Sequence, residues 1–288
     1  MVSRMSSDHD VRETFRVPAG PVELTGIDPR DRPTGPKDKD AAEEAMAELA
    51  VRLDTLQEAL YAEGTGGGRR SLLLVLQGMD TSGKGGVIGH VVGLVNPQGV
   101  HIASFKRPTA EELAHDFLWR IRRQVPPAGR IGVFDRSHYE DVLVARVDSL
   151  VAPDVWEARY DRISAFEREL SEQGVTVVKC MLHISPEEQA ERLLARLDEP
   201  AKRWKYNPGD LDSRAKWPAY REAYEAALER CDADVAPWYV IPSDRKWYRN
   251  WAVAAILAET LADMAPVFPA PDFDVEEQRA LLKESVVR

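Results

Sequence analysis

The chain has 288 residues, 44% apolar and 30% charged, with a formal net charge of -10. That length and balance fit one main α/β domain with a helical extension, and the negative charge disfavours nucleic acid or an anionic membrane surface as a partner, since either needs a basic footprint. The opening segment "MVSRMSSDHDVRETFR" has no apolar h-region, no run of 18 apolar residues occurs, and the two cysteines, Cys180 and Cys231, show no metal-ligand spacing. A cytoplasmic protein with spectator cysteines is expected.

Residues 1–39 are rich in Pro, Gly and charge, and are expected to form a flexible arm without a core element. From 40 to 63, Met46, Leu49, Leu53, Leu56 and Leu60 recur at spacings of three and four, the stripe of an amphipathic helix, and "GTGGG" ends it. That stripe reads as core or as a subunit interface, and a homo-oligomer is expected. Five apolar runs then read as strands: 71–77, 100–105, 131–135, 175–184 and 237–241. Helical patterns separate them, two opening on capping boxes, Thr109 with Glu112 and Ser185 with Glu188. Strands and helices alternating at this pitch predict a mostly parallel five-stranded sheet covered on both faces, a three-layer α/β sandwich with ligands at the carboxyl ends of its strands. The domain is expected to span 40–265, with residues 266–288 as a strap and short helix.

Between the first strand and a glycine-rich helix lies "GMDTSGKGG", residues 78–86, which fits G-x-x-x-x-G-K with the last position altered. In such a loop successive amides point into one concavity, and glycines let the backbone approach phosphate. Gly78, Thr81, Ser82, Gly83, Gly85 and Gly86 are therefore candidate phosphate-binding positions, and Lys84 reaches terminal phosphate oxygens. An ordinary loop of this kind carries Ser or Thr after the lysine to hold magnesium; here Gly85 stands there. Asp80 is the expected replacement, because a carboxylate beside phosphates is repelled unless a cation sits between them. Asp135, ending the third strand, is the second expected metal ligand in the manner of a Walker B aspartate; its bland alternative is a helix N-cap. Arg136 follows it and can grip a phosphoryl oxygen in two places.

Other cations at strand ends and helix starts include Lys106 and Arg120. From Arg192 to Arg221 there are eight basic residues against four acidic ones, a basic island on an acidic chain. It fits a confined anionic ligand, or else a solvated helix face.

Taken together, "VLQGMDTSGKGG", "VNPQGV", "FKRPTAEELAHDFLWR", "VFDRSHYEDVLVARV", "KRWKYNPGDL" and "PWYVIPSDRKWYRNWAV" resemble the type 2 polyphosphate kinases over residues 45 to 262. The resemblance implies a P-loop kinase fold like that of thymidylate kinase, and magnesium-dependent transfer of a phosphoryl group between inorganic polyphosphate and AMP or ADP, giving ADP or ATP. It also implies Asp80, Lys84, Asp135 and Arg136 as catalytic residues, Asp80 and Asp135 as metal ligands, and a helical lid over about 196–216 in which Arg196, Lys202, Arg203 and Lys205 close over phosphates. Two other readings stay open: an ATP-dependent nucleoside or nucleotide kinase with the same loop, and a noncatalytic nucleotide-binding module. The second lacks an N-K-x-D base-reading motif.

Overall fold

The computed structural model describes residues 10–285. Its sheet contains β1 (Ser71–Gln77), β2 (Val100–Ser104), β3 (Ile131–Asp135), β4 (Val175–His183) and β5 (Trp238–Pro242), all parallel and ordered β2-β3-β1-β4-β5. The helices are α1 (Val11–Phe15), α2 (Lys39–Thr65), α3 (Lys84–His90), α4 (Ala110–Leu113), α5 (Trp119–Arg122), α6 (Val144–Val147), α7 (Pro153–Glu172), α8 (Pro186–Asp198), α9 (Asp210–Ala215), α10 (Trp217–Arg230), α11 (Lys246–Met264) and α12 (Val275–Glu284). None of them is long and apolar enough to cross a membrane.

Every residue of β1 is buried, which is why "SLLLVLQ" reads as a continuous apolar run rather than an alternating one. One face of the sheet packs Leu73, Val75, Phe134 and Val177 against α7 and α10; the other packs Leu72, Leu74, Val133 and Val178 against α2, α3 and α11. After β1 the chain crosses to β2, and after β3 it crosses the other way to β4. The direction therefore reverses at the carboxyl ends of β1 and β3, where open α/β sheets place their ligands. Leu76 is in register with Asp135, so these two strand ends are adjacent.

The N-terminal segment departs from expectation. It was expected to carry no core element, yet Phe15, Val17, Val22 and Leu24 are buried. Phe15 meets Tyr248 edge-on, and Arg16 bridges Tyr239 antiparallel along the outer edge of β5, with Val17 N donating to Trp238 O at 3.0 Å. The segment covers an edge strand whose backbone groups would otherwise lie open. Its proline, glycine and charge content describes an irregular backbone, and an irregular backbone can still bury single apolar side chains. Residues 1–9 of the expected arm and 286–288 of the expected strap lie outside the described residues.

Of the two expected capping boxes, Thr109 with Glu112 forms in both directions. Ser185 caps α8 by accepting from Glu188 N, but the Glu188 carboxylate turns to Arg192 at 2.8 Å, and Ser185 N donates to Asp244 instead. The reciprocal half is lost to a stronger, charged partner.

Candidate active site

The loop from Gly78 to Gly83 leaves β1 and enters α3. Its turn depends on backbone that ordinary residues avoid: Gly78 and Gly83 have φ of 147° and 114°, and Thr81 sits at 66°. Side-chain space is closed as well, since a Cβ on Gly78 would lie 2.6 Å from Leu182 O. Lys84, buried at the first turn of α3, donates from Nζ to Gly78 O at 2.7 Å. Burial and then the charge of Arg136 push its ammonium below the usual range, against the pull of Asp80, Asp135 and Glu140. The hydroxyls of Thr81 and Ser82 are buried without a partner among the described residues, as befits a loop built to receive further acceptors.

Asp80, Asp135 and Arg136 gather beside this lysine. Arg136 also has a left-handed backbone, φ 63°, stored where a non-glycine residue is strained. Its guanidinium donates to Asp80 Oδ1 at 2.7 Å and to Glu140 Oε2 at 3.1 Å. The charge of Glu140, reinforced by Asp80, outweighs burial and holds Arg136 further above its usual range. Asp80 is thus paired with a cation inside the protein, which sequence reasoning had assigned to a metal alone; its second carboxylate oxygen lies outside that bond. Asp135 is no helix N-cap: Ser137 does that work, accepting from Tyr139 N. No group of three or more His, Cys, Asp or Glu side chains placed to hold a metal occurs among the described residues. Two carboxylates at neighbouring strand ends still suit magnesium, a hard cation that keeps waters or phosphate oxygens in most of its positions.

The strand-end loop that presents Arg136 is anchored from below. Glu167 on α7 accepts from Tyr139 OH at 2.8 Å and from Lys179 Nζ at 2.6 Å, and lies 3.1 Å from His138 Nε2; all four side chains are buried. Burial pulls the Glu167 carboxyl upward, but Lys179 and His138 outweigh it and hold it below the usual carboxylate range. A lysine inside the apolar run "VTVVKCMLHI" was the one sequence sign of this network.

Sequence reasoning also missed what stands behind this loop. Arg192, counted only as one charge of the basic island, donates to Thr81 O at 2.9 Å and Ser82 O at 3.2 Å, and to Ser243 O and Asp244 O. Arg249 donates to Ser82 O at 3.1 Å, and Gln189 Nε2 to Asp80 O at 3.0 Å. Holding the Asp80 and Ser82 carbonyls in this way leaves the Thr81 and Gly83 amides, on the opposite side of those peptide planes, free for another acceptor, while Ser82 N donates within the loop to Met79 O at 3.0 Å.

The remaining candidate cations are dispersed. Lys106 is exposed, and its carbonyl accepts from Arg120, which is buried over the Phe105 ring near Glu112 and Asp141. Arg196 bonds Lys205 O and Asp210, Lys202 pairs with Glu199, Arg203 donates to Leu197 O, and Lys205 lies over Trp204. None of these four touches the loop, but Asp210 on α9 links the segment to it: burial, then the charge of Asp80, raises its carboxyl.

Comparison with known proteins gives this arrangement a family. The model described as Polyphosphate kinase 2 matches residues 36–269. A relative from Meiothermus ruber, named AMP/ADP-polyphosphate phosphotransferase, is 51% identical over 90% of this chain and 96% of its own length. One from Rhodopseudomonas palustris, named ADP-polyphosphate phosphotransferase, is 42% identical over 80% of this chain and 83% of its own. The crystal structure of Polyphosphate Kinase 2 from Arthrobacter aurescens TC1 superposes with a TM-score of 0.94 at 48% identity, covering 99% of this chain and all of that one. With the strand-loop-helix, the paired Asp80 and Arg136 and the adjacent Asp135 in place, the chain belongs to the polyphosphate kinase 2 family.

Proposed function

We propose that this protein transfers a phosphoryl group directly between inorganic polyphosphate and AMP or ADP, with magnesium. The observation that carries the reading is the meeting of Lys84, Arg136, Asp80 and Asp135 at the reversal point of the sheet, in a family named for this chemistry. Phosphoryl transfer asks for positioning and charge neutralisation rather than covalent catalysis. The loop amides and Lys84 hold one phosphate arm. Arg136, kept in place by Asp80 and Glu140, faces the oxygens of the transferring group, and its planar fork contacts two of them. Asp80 and Asp135 hold magnesium, which neutralises phosphate charge when bound. Residues 196–216 act as a lid, bringing Arg196, Lys202, Arg203 and Lys205 over the polyphosphate chain, with Lys106 and Arg120 as further phosphate contacts.

The test is direct. Purified protein is incubated with AMP or ADP, magnesium and polyphosphate, with no ATP supplied, and nucleotides are separated over time. ADP or ATP appearing in proportion to enzyme supports the reading. A product that forms only when ATP is the donor would replace it with an ordinary nucleotide kinase.

A further inference from the structure

Three arginines among the described residues are buried: Arg120, Arg192 and Arg249. Arg120 has Glu112 at 3.8 Å and Asp141 at 4.0 Å, and Arg192 has Glu188 at 2.8 Å. Arg249, the most deeply buried at 3% exposure, pairs with no carboxylate among the described residues. Its bonds go to neutral acceptors, Ser82 O and Asn250 Oδ1. Its nearest charged influence is repulsive, since burial and then Arg192 push the guanidinium down to about 9. An uncompensated buried cation costs stability, and a fold tolerates it when something else requires it.

The position supplies that requirement. Arg249 lies against the phosphate loop, so close that a Cβ on Gly83 would fall 1.8 Å from its Nη1 and one on Gly86 2.6 Å from its Nη2. A side chain at either glycine would push the guanidinium off its bond to Ser82 O. Lys84, also buried and also without an ion pair among the described residues, donates to Gly78 O at the start of the same loop. We propose that Arg249 is a positioning residue whose charge is left unpaired in the unliganded protein so that a phosphate chain in the loop becomes its counter-ion. This rests on the proposed reading of the loop as the seat of one phosphate arm. Binding then relieves a strain already present, and part of the affinity for a polyanion comes from the fold rather than from direct contact.

The consequence separates this role from that of a plain structural clamp. Thermal unfolding of the full chain is followed with and without saturating tripolyphosphate for the wild type, Arg249→Gln and Arg249→Lys. Removing an uncompensated charge leaves the unliganded Tm of Arg249→Gln equal to or above wild type, while the Tm gained with tripolyphosphate falls by more than half and the affinity by about tenfold. Arg249→Lys, which keeps the charge, retains most of the gain. The proposal is overturned if Arg249→Gln keeps the wild-type gain, if it fails to fold or unfolds several degrees lower, or if Arg249→Lys loses as much gain as Arg249→Gln. Absence of any gain in the wild type, with tripolyphosphate and with longer chains, would instead remove the reading of the loop as a seat for a phosphate chain.

Discussion

Asp80 gives one carboxylate oxygen to Arg136, and Asp135 stands at the adjacent strand end, so their loss should not look alike. Asp80→Asn and Asp135→Asn are each expected to lower kcat by about 10²- to 10³-fold, because each removes charge at the reacting centre, with Tm nearly unchanged. Only Asp80→Asn also weakens the hold on Arg136, from a charged to a neutral hydrogen bond, so it alone should raise KM for polyphosphate; steady-state kinetics over both substrates checks the split, and near-wild-type turnover of either variant in saturating magnesium would sink the metal assignment. The glycines of the loop divide in the same way. Gly83→Ala puts a Cβ into Arg249 at a φ of 114°, and is expected to lose both stability and activity. Gly85 opens onto empty space, so Gly85→Ser should fold with an unchanged Tm. It should not rescue Asp80→Asn, since a serine on α3 approaches from a different backbone position; recovery of most activity by the double variant would show the two ligand positions to be interchangeable.

Elements were legible where one physical constraint dominates a whole segment. The leucines at three and four along α2, and the unbroken apolar β1, report their surroundings through spacing alone. The four-residue helices α4, α5 and α6 and the short turn at Pro200–Lys205 do not, because tertiary contacts place them and they are too short to show a period. The site divides likewise: Asp80, Lys84, Asp135 and Arg136 stand at motif spacings, whereas Arg192, Glu167 and Arg249 matter because they are buried, which spacing does not encode. In the segment Pro200–Lys205, Lys202 is held by Glu199, while Arg203 and Lys205 pair with no carboxylate among the described residues. If these two close over polyphosphate, Arg203→Ala with Lys205→Ala should raise KM for polyphosphate far more than KM for ADP. The slope of log KM against log salt should also become shallower, by about 0.7 per lost contact on the analogy of single-stranded nucleic acids. An equal response of both substrates would mark the segment as a solvated face.

At the scale of the molecule, the two terminal segments have opposite relations to the core. The N-terminal one covers the edge of β5 and buries Phe15 against Tyr248, with Leu24 N donating to Glu225 and Tyr248 OH to Thr34 O, so it ties α10 and α11 to the sheet. The C-terminal one leaves α12 exposed along its whole length, with Leu281 and Leu282 open to solvent. A truncation is felt in proportion to the contacts its site can no longer make, which for a buried aromatic is both transfer energy and the cavity left behind. Phe15→Ala is therefore expected to destabilise the fold by about 3–5 kcal/mol. Leu282→Ala should stay within about 0.5 kcal/mol of wild type. Urea unfolding of both variants at low protein concentration measures the difference. Repeating it at high concentration tests the expected homo-oligomer, because a Leu282→Ala cost that appears only there would place α12 in a contact between copies, while a Phe15→Ala cost independent of concentration would keep the N-terminal segment within the fold of a single chain.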